Sequence, residues 1–289
     1  MSYFTRAVLE LVLLGLLSGL AGMLIVLRRR SFFAVALSHA TFPGGVIFAL
    51  LGYNLLLGQA LFALFLVMVM TLLTRVPGQG RQVASGVVLA FGFAFGSLLA
   101  SLNAGLGVPV EALLVGSPLA ISTGDLVATA AVLLVVAVLL LVYGRRILFH
   151  SIDPVGFTSA GFRAWPVEFA VTAIIAASVI VAMPAVGAIL GVAVLIGPAA
   201  AAQVLTNRLG VMVPLAAVLG VSGGLLGLWA SRAFDVAAGG AIGLAMALLY
   251  LLALLARGIA DRARAMRRQP VSAAVGSVRV RHERSTVQL

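Results

Sequence analysis

The chain has 289 residues, of which 63% are hydrophobic and 9% charged, with a mean hydropathy of +1.21. A soluble domain is about half apolar and a quarter charged, so these proportions exclude one and indicate an integral membrane protein with room for roughly eight to ten helical spans of about 20 residues. With no cysteine there is neither a disulfide framework nor a thiolate metal site, and the net charge of +11 reports membrane orientation rather than nucleic-acid binding.

Cutting the sequence at its charges predicts nine spans, near residues 8–27, 31–51, 59–74, 83–102, 125–143, 166–183, 186–204, 211–230 and 239–256. The first run has no charged n-region and no small-residue cleavage site, so a retained span is expected rather than a signal peptide. Arginines fall at 28–30, at 75 and 81, at 145, 146 and 163, at 208, and eight times after residue 256, each group after an odd-numbered span. Only Arg6 and Arg232 are left for the other side. The positive-inside rule therefore predicts an all-α polytopic transmembrane bundle with its N-terminus outside and its C-terminus cytoplasmic. Residues 1–256 form the transmembrane domain in this reading. Residues 257–289 form a basic cytoplasmic tail, helical at first against anionic lipid and disordered beyond Pro270, with His282 incidental.

Glycines at small-xxx-small spacing (Gly15 and Gly19, Gly92 and Gly96, Gly187 and Gly191, Gly223 and Gly227) predict close helix packing. Carboxylates are expected at the margins: Glu10, Asp125, Glu168 and Asp235 at span ends, Glu111 in an outer connection and Asp153 in a cytoplasmic loop. A carboxylate at the bilayer centre costs about 3 kcal/mol, and ion-coupled carriers commonly retain one there. With none expected at mid-depth, the energy source is assigned to a partner. Arg28 to Arg30 are read mainly as topology anchors, and His150 with Asp153 as a solvated loop.

His39 is the exception. Nine residues after Arg30, it lies about 13 Å into a core about 30 Å thick. A neutral imidazole there suits a transit ligand for zinc, iron, nickel or copper. The structural alternative is a donor to a carbonyl freed by Pro43.

The stretch "RRRSFFAVALSHATFPGG" resembles the second-span motif of the permease subunits of ATP-binding-cassette importers for zinc, manganese and iron. Five further pieces resemble that family in order: "SGVVLAFGFAFGSLLASL", "ALLVGSPLAISTGDL", "DPVGFTSAG", "VGAILGVAVLIGPAAAAQVLTNRL" and "GGLLGLWASRAFDVAAGGAI". The resemblance covers about residues 8 to 256. It implies a permease of the bacterial plasma membrane that works as a homodimer around one translocation path. Two copies of a cytoplasmic ATPase drive it, and an extracytoplasmic metal-binding protein delivers a divalent metal as substrate. It implies no permanently bound cofactor, ATP use only through the partner, no catalytic residue in this chain and no nucleic-acid partner. The segment 197–210 then matches the ATPase-coupling element, with Pro198, Ala199, Ala200, Asn207 and Arg208 at its centre.

Where the family motif has aspartate one turn before the histidine, this sequence has Val35. Only His39 carries over as a metal contact, with Ser38, Thr41 and Asn103 as possible supporting oxygens. Two other classes stand beside the importer. One is a secondary carrier or a metal-chelate permease that does without the aspartate and histidine pair, of which the carrier is weakened by the missing mid-membrane carboxylates. The other is a membrane hydrolase, for which Ser38 and His39, adjacent on a helix, diverge by about 100° and do not face each other.

Overall fold

The computed structural model describes residues 2–73, 81–103 and 116–283, and among these every regular element is helical. Helix α1 (Tyr3–Leu27) begins where Ser2 accepts a hydrogen bond of 3.2 Å from the Thr5 amide, which satisfies one of the donors a helix start leaves unpaired. A π turn at Ser18–Gly22 interrupts it.

Helix α2 (Ser31–Leu50) is broken at Thr41 into Ser31–Ala40 and Phe42–Leu50. Pro43 has no N–H to offer the His39 carbonyl four residues back, so the ladder fails there. The Thr41 amide keeps its bond to the Leu37 carbonyl at 3.1 Å, and the Gly44 amide closes a tighter turn on the Thr41 carbonyl at 3.1 Å.

Helices α3 (Leu55–Leu73) and α4 (Arg81–Leu102) follow. Helix α5 (Thr123–Ile152) opens on a reciprocal cap: the Asp125 amide donates to Ser122 Oγ, and the Ser122 amide to Asp125 Oδ2. It runs nine residues beyond the span end expected at 143, because Arg145 and Arg146 mark where the bilayer stops and not where the helix does. A short helix α6 (Pro154–Ser159) is capped by Asp153, which accepts from the Gly156 amide at 2.8 Å.

The helical stretch Ala164–Leu205 divides into α7 (Ala164–Ala188) and α8 (Leu190–Leu205) at Gly187, whose φ of 80° only glycine adopts freely. A Cβ placed on Gly191 would lie 3.5 Å from the Cβ of Ala182. Nine residues along one continuous helix would separate them by about 13 Å, so the chain doubles back at Gly187. Gly187 and Gly191, expected as a packing pair, are thus a turn and a hairpin contact. The Ser117 amide, from the connection before α5, donates to the Pro184 carbonyl at 3.3 Å and covers this turn.

Helices α9 (Leu209–Phe234) and α10 (Ala238–Glu283) complete the bundle, the apolar part of α10 being Ala238–Arg264. The other glycine pairs pack as expected: Gly15 and Gly19 on Val221 and Ala217 of α9, Gly92 and Gly96 on Ala40 and Phe42 of α2, Gly223 and Gly227 on Met246 and Ile242 of α10. Among the described residues eight helices are long and apolar enough to cross a membrane, and α8 is a shorter apolar helix. In their most apolar stretches α1 and α7 are each 67% buried and α2 61%, while α5, the most hydropathic, is 11% buried. A helix apolar all round and outside the core faces lipid or a partner. The core is therefore centred on α1, α2 and α7, joined by Val194, Leu195 and Ala199 of α8, while α3 to α5 bury single faces against it.

Candidate transport site

The break in α2 gives His39 its surroundings. Its half-buried ring lies in the last turn before Thr41, with Nδ1 3.0 Å from the Val35 carbonyl oxygen and 3.0 Å from Ser38 Oγ. Ser38 Oγ donates to the same carbonyl at 2.9 Å. A carbonyl oxygen can only accept, so Nδ1 carries the proton and Nε2 keeps its lone pair. Metal-binding imidazoles are commonly oriented this way, by a backbone carbonyl on the other ring nitrogen. Phe93 of α4 stands beside the ring, with centroids 6.3 Å apart. α4 comes that close because Gly92 has no side chain to hold it off Ala40.

Ser38 and Thr41 are buried, and each hydroxyl proton is directed to the helix's own backbone: Ser38 to Val35, and Thr41 Oγ1 to the Ser38 carbonyl at 3.2 Å. They keep oxygen lone pairs and little freedom. Asn103 is not brought to His39. It lies eleven residues beyond Gly92, about 16 Å along a helix axis, and its Nδ2 donates to Leu99 of its own helix at 2.9 Å. Val35 is half-buried one turn before His39. Among the described residues no group of three or more His, Cys, Asp or Glu converges as on a fixed metal ion. The arrangement leaves His39 Nε2 as its one nitrogen without a described partner.

The second predicted site lies at the α8–α9 junction. Pro198 is inside α8, Ala199 is fully buried beside Gly22 of α1, and Ala200 is half-buried. The helix ends at Leu205, and Asn207 and Arg208 are exposed in the turn before α9. The turn is braced by the Arg208 amide on Thr206 Oγ1 at 3.3 Å and by Arg257 Nη1 of α10 on the Val204 carbonyl at 2.7 Å.

Two groups differ from expectation. Arg28 and Arg30 are more than topology anchors: Arg28 Nη1 donates to Glu168 Oε1 at 3.0 Å and lies 3.0 Å from His150 Nδ1, while Arg30 pairs with Glu168 Oε2 and donates to Thr172 Oγ1 at 3.0 Å. His150 is accordingly not in a solvated loop. The extra turns of α5 carry it into the bundle, where it is buried with its ring edge-on to Phe157, centroids 5.1 Å apart. Glu10, expected at a span end, is 1% exposed and accepts from Thr129 Oγ1 at 2.6 Å. Seven residues into α1, it lies about 10 Å from the helix start. No sequence pattern marks either group, because the partners are 119 to 142 residues apart.

The chain as a whole has counterparts among known proteins. The profile of the ABC 3 transport family matches residues 1–257. The chain belongs to that family. A manganese transport system membrane protein, MntC, of Halalkalibacterium halodurans is 31% identical over 252 residues, which cover 87% of this chain and 86% of the relative. A zinc transport system membrane protein, TroC, of Treponema pallidum is 37% identical over 235 residues, covering 77% and 78%. In three dimensions the chain is similar to PsaBC from Streptococcus pneumoniae in complex with Fab, with a TM-score of 0.78 and 27% identity over 88% of this chain and 91% of that one. As an ABC 3 family member the chain is a multi-pass membrane permease subunit, and ATP hydrolysis belongs to a separate subunit.

Proposed function

We propose that this permease imports a divalent metal ion, manganese or zinc first and iron as a third candidate, as a homodimer whose path runs past His39. The relatives named for manganese and zinc transport support the substrate class. The observation that carries the site is the placement of the His39 ring: with Nδ1 3.0 Å from the Val35 carbonyl oxygen, Nε2 is the ring nitrogen left to meet an ion. Ser38 and Thr41 contribute oxygen lone pairs at most. In a homodimer two such imidazoles border one path. Asn103, bonded within its own helix, has no part in this reading.

The turn at residues 206–208 is the contact for a cytoplasmic ATPase dimer, with Pro198, Ala199 and Ala200 transmitting its motion into the bundle. An extracytoplasmic metal-binding protein supplies the ion at the opposite end. In this reading the chain crosses the membrane nine times, α8 included, from an outer N-terminus to a cytoplasmic C-terminus, and the tail from residue 257 rests on anionic lipid.

The test is uptake of radiolabelled zinc, manganese and iron by cells expressing the permease with its ATPase. His39→Ala should abolish or sharply reduce uptake at matched membrane expression, since alanine costs the span nothing in hydrophobicity. Parental uptake of all three ions by that variant would reduce His39 to a packing residue.

A further inference from the structure

The turn that ends α1 holds a side chain where the backbone favours none. Arg29 has φ of 53°, its amide donates to the Val26 carbonyl at 3.0 Å, and the Arg30 amide donates to the Ile25 carbonyl at 2.9 Å. This pair of bonds is the Schellman end of a helix, whose left-handed position is ordinarily glycine because a Cβ there costs about 1 to 2 kcal/mol. The chain keeps an arginine at that cost. Arg29 is exposed, and its guanidinium makes no hydrogen bond or ion pair to a described residue.

Arg29 lies at one end of a pocket of about 270 Å³ between α1, α2, α3, α4 and α7, with Arg28 and Arg30 beside it. Glu168 is held between Arg28 and Arg30, so among the described lining residues three guanidiniums stand against one carboxylate. Apolar side chains share the lining with this charge, Phe33 of α2 with Val67 and Met70 of α3, and Thr71, Gln82 and Ser85 add polar groups. At the rim Trp165 and Phe169 stack at 5.7 Å and are 69% and 51% exposed. Exposed aromatic rings at a helix end mark the headgroup level of a bilayer. A charged end, an apolar wall and an aromatic rim together have the shape of an anionic amphiphile.

We propose that this pocket binds an anionic phospholipid from the leaflet on its side of the membrane, with the phosphate on Arg29 and the first acyl methylenes against Phe33, Val67 and Met70. Guanidinium groups pair with phosphate oxygens through parallel N–H bonds, and basic pockets between helices at the membrane face select acidic headgroups. An acidic segment of a partner protein would use the arginines but leave the apolar wall uncovered, which favours the lipid. The bound lipid clamps the α1–α2 turn, which leads directly into the His39 helix, to α3, α4 and α7.

The chain has two tryptophans, so Trp229→Phe leaves Trp165 as a single reporter at the rim. Reconstituted in liposomes, this variant should be quenched by phosphatidylglycerol brominated on its acyl chains at lower mole fraction than by brominated phosphatidylcholine, by about fivefold, the preference that one arginine confers near an acidic surface. Adding Arg29→Gly should remove that preference. The unfolding temperature in detergent should stay equal or rise, because glycine relieves the left-handed backbone. If glycine lowers it, Arg29→Asn, which tolerates the same conformation, replaces it in the same assay. Equal quenching by the two lipids in the parent overturns the proposal. So does a preference that survives loss of Arg29, which would report only general surface charge. Loss of ATPase co-purification with the lipid preference intact would assign Arg29 to a protein contact, and overturns it too.

Discussion

Glu168 Oε1 lies 3.0 Å from Arg28 Nη1, and the second oxygen of the same carboxylate pairs with Arg30, so one side chain at the start of α7 fastens both ends of the turn between α1 and α2. The Arg28 and Arg30 side chains are 8% and 12% exposed, against 25% for Glu168. Removing one partner of a fully buried pair costs about 3 to 5 kcal/mol because the remaining charge is stranded, while replacing the whole cluster by apolar residues is often neutral. For Glu168→Gln, with the carboxylate partly exposed, about 2 to 3 kcal/mol is expected. Thermal unfolding in detergent should fall clearly for that single change and by less for Arg28→Met, Arg30→Met and Glu168→Leu combined. A triple variant weaker than the single one would show that the cluster stabilises through attraction and not through the avoidance of stranded charge.

The contrast between this cluster and the helices shows what the sequence carries. Hydropathy located the spans because the bilayer demands about 20 apolar residues of each, whatever they pack against. It could not pair Arg28 with Glu168, because a span-end glutamate has the same local sequence whether it faces water or an arginine 140 residues away. The burial of Glu10 was hidden for the same reason: its partner Thr129 is an unremarkable residue of α5. His39 was legible because Pro43 and the surrounding motif lie in one helix. Its hydrogen-bonding state was not, since the proton on Nδ1 is decided by the local geometry of Ser38 and the Val35 carbonyl.

Gly92 is where packing and the candidate path meet. A Cβ there would stand 2.5 Å from the Ala40 Cα, a backbone atom that cannot step aside. Gly92→Val should push α4 away from α2, at the upper end of the about 1 to 3 kcal/mol that overpacking costs. Uptake should fall further than stability alone explains, because Phe93 moves with α4 and the space beside His39 changes. Measuring uptake at a temperature where the variant is fully folded separates the two effects.

Arg208 tests the coupling turn. It is exposed at the start of α9, so Arg208→Glu should leave the unfolding temperature unchanged, and insertion is checked first because the change removes an inside arginine. Co-purification of the ATPase should weaken, or ATP hydrolysis should continue without uptake. Parental uptake by the inserted variant would move the ATPase contact elsewhere.

The absence of cysteine makes sidedness directly measurable. Tyr53, 66% exposed between α2 and α3, and Ser159, exposed at the end of α6, are expected on opposite faces. Tyr53→Cys should react with a membrane-impermeant maleimide on intact cells, and Ser159→Cys only after permeabilisation. The reverse pattern would invert the orientation drawn from the arginines.

The last prediction concerns Val35, one turn before His39. Its carbonyl fixes the imidazole tautomer and its side chain is half-buried on the neighbouring face. Val35→Asp keeps the backbone carbonyl, so Nδ1 stays protonated and Nε2 stays available, and it adds a carboxylate within reach at the i, i+4 spacing. A single imidazole favours the softer ions, whereas a carboxylate brings the oxygen ligand that manganese prefers. The variant should therefore bind divalent ions more tightly and shift uptake toward manganese relative to zinc, while turnover at saturating metal falls because release slows. The cost is a carboxylate in the span, about 3 kcal/mol if unpaired, so expression should be matched before comparison. Competition between the two radiolabelled ions at one concentration reads the shift directly. An unchanged manganese-to-zinc ratio, with the variant folded and inserted, would mean that the ion does not pass within reach of position 35, and the path beside His39 would have to be drawn along another face of α2.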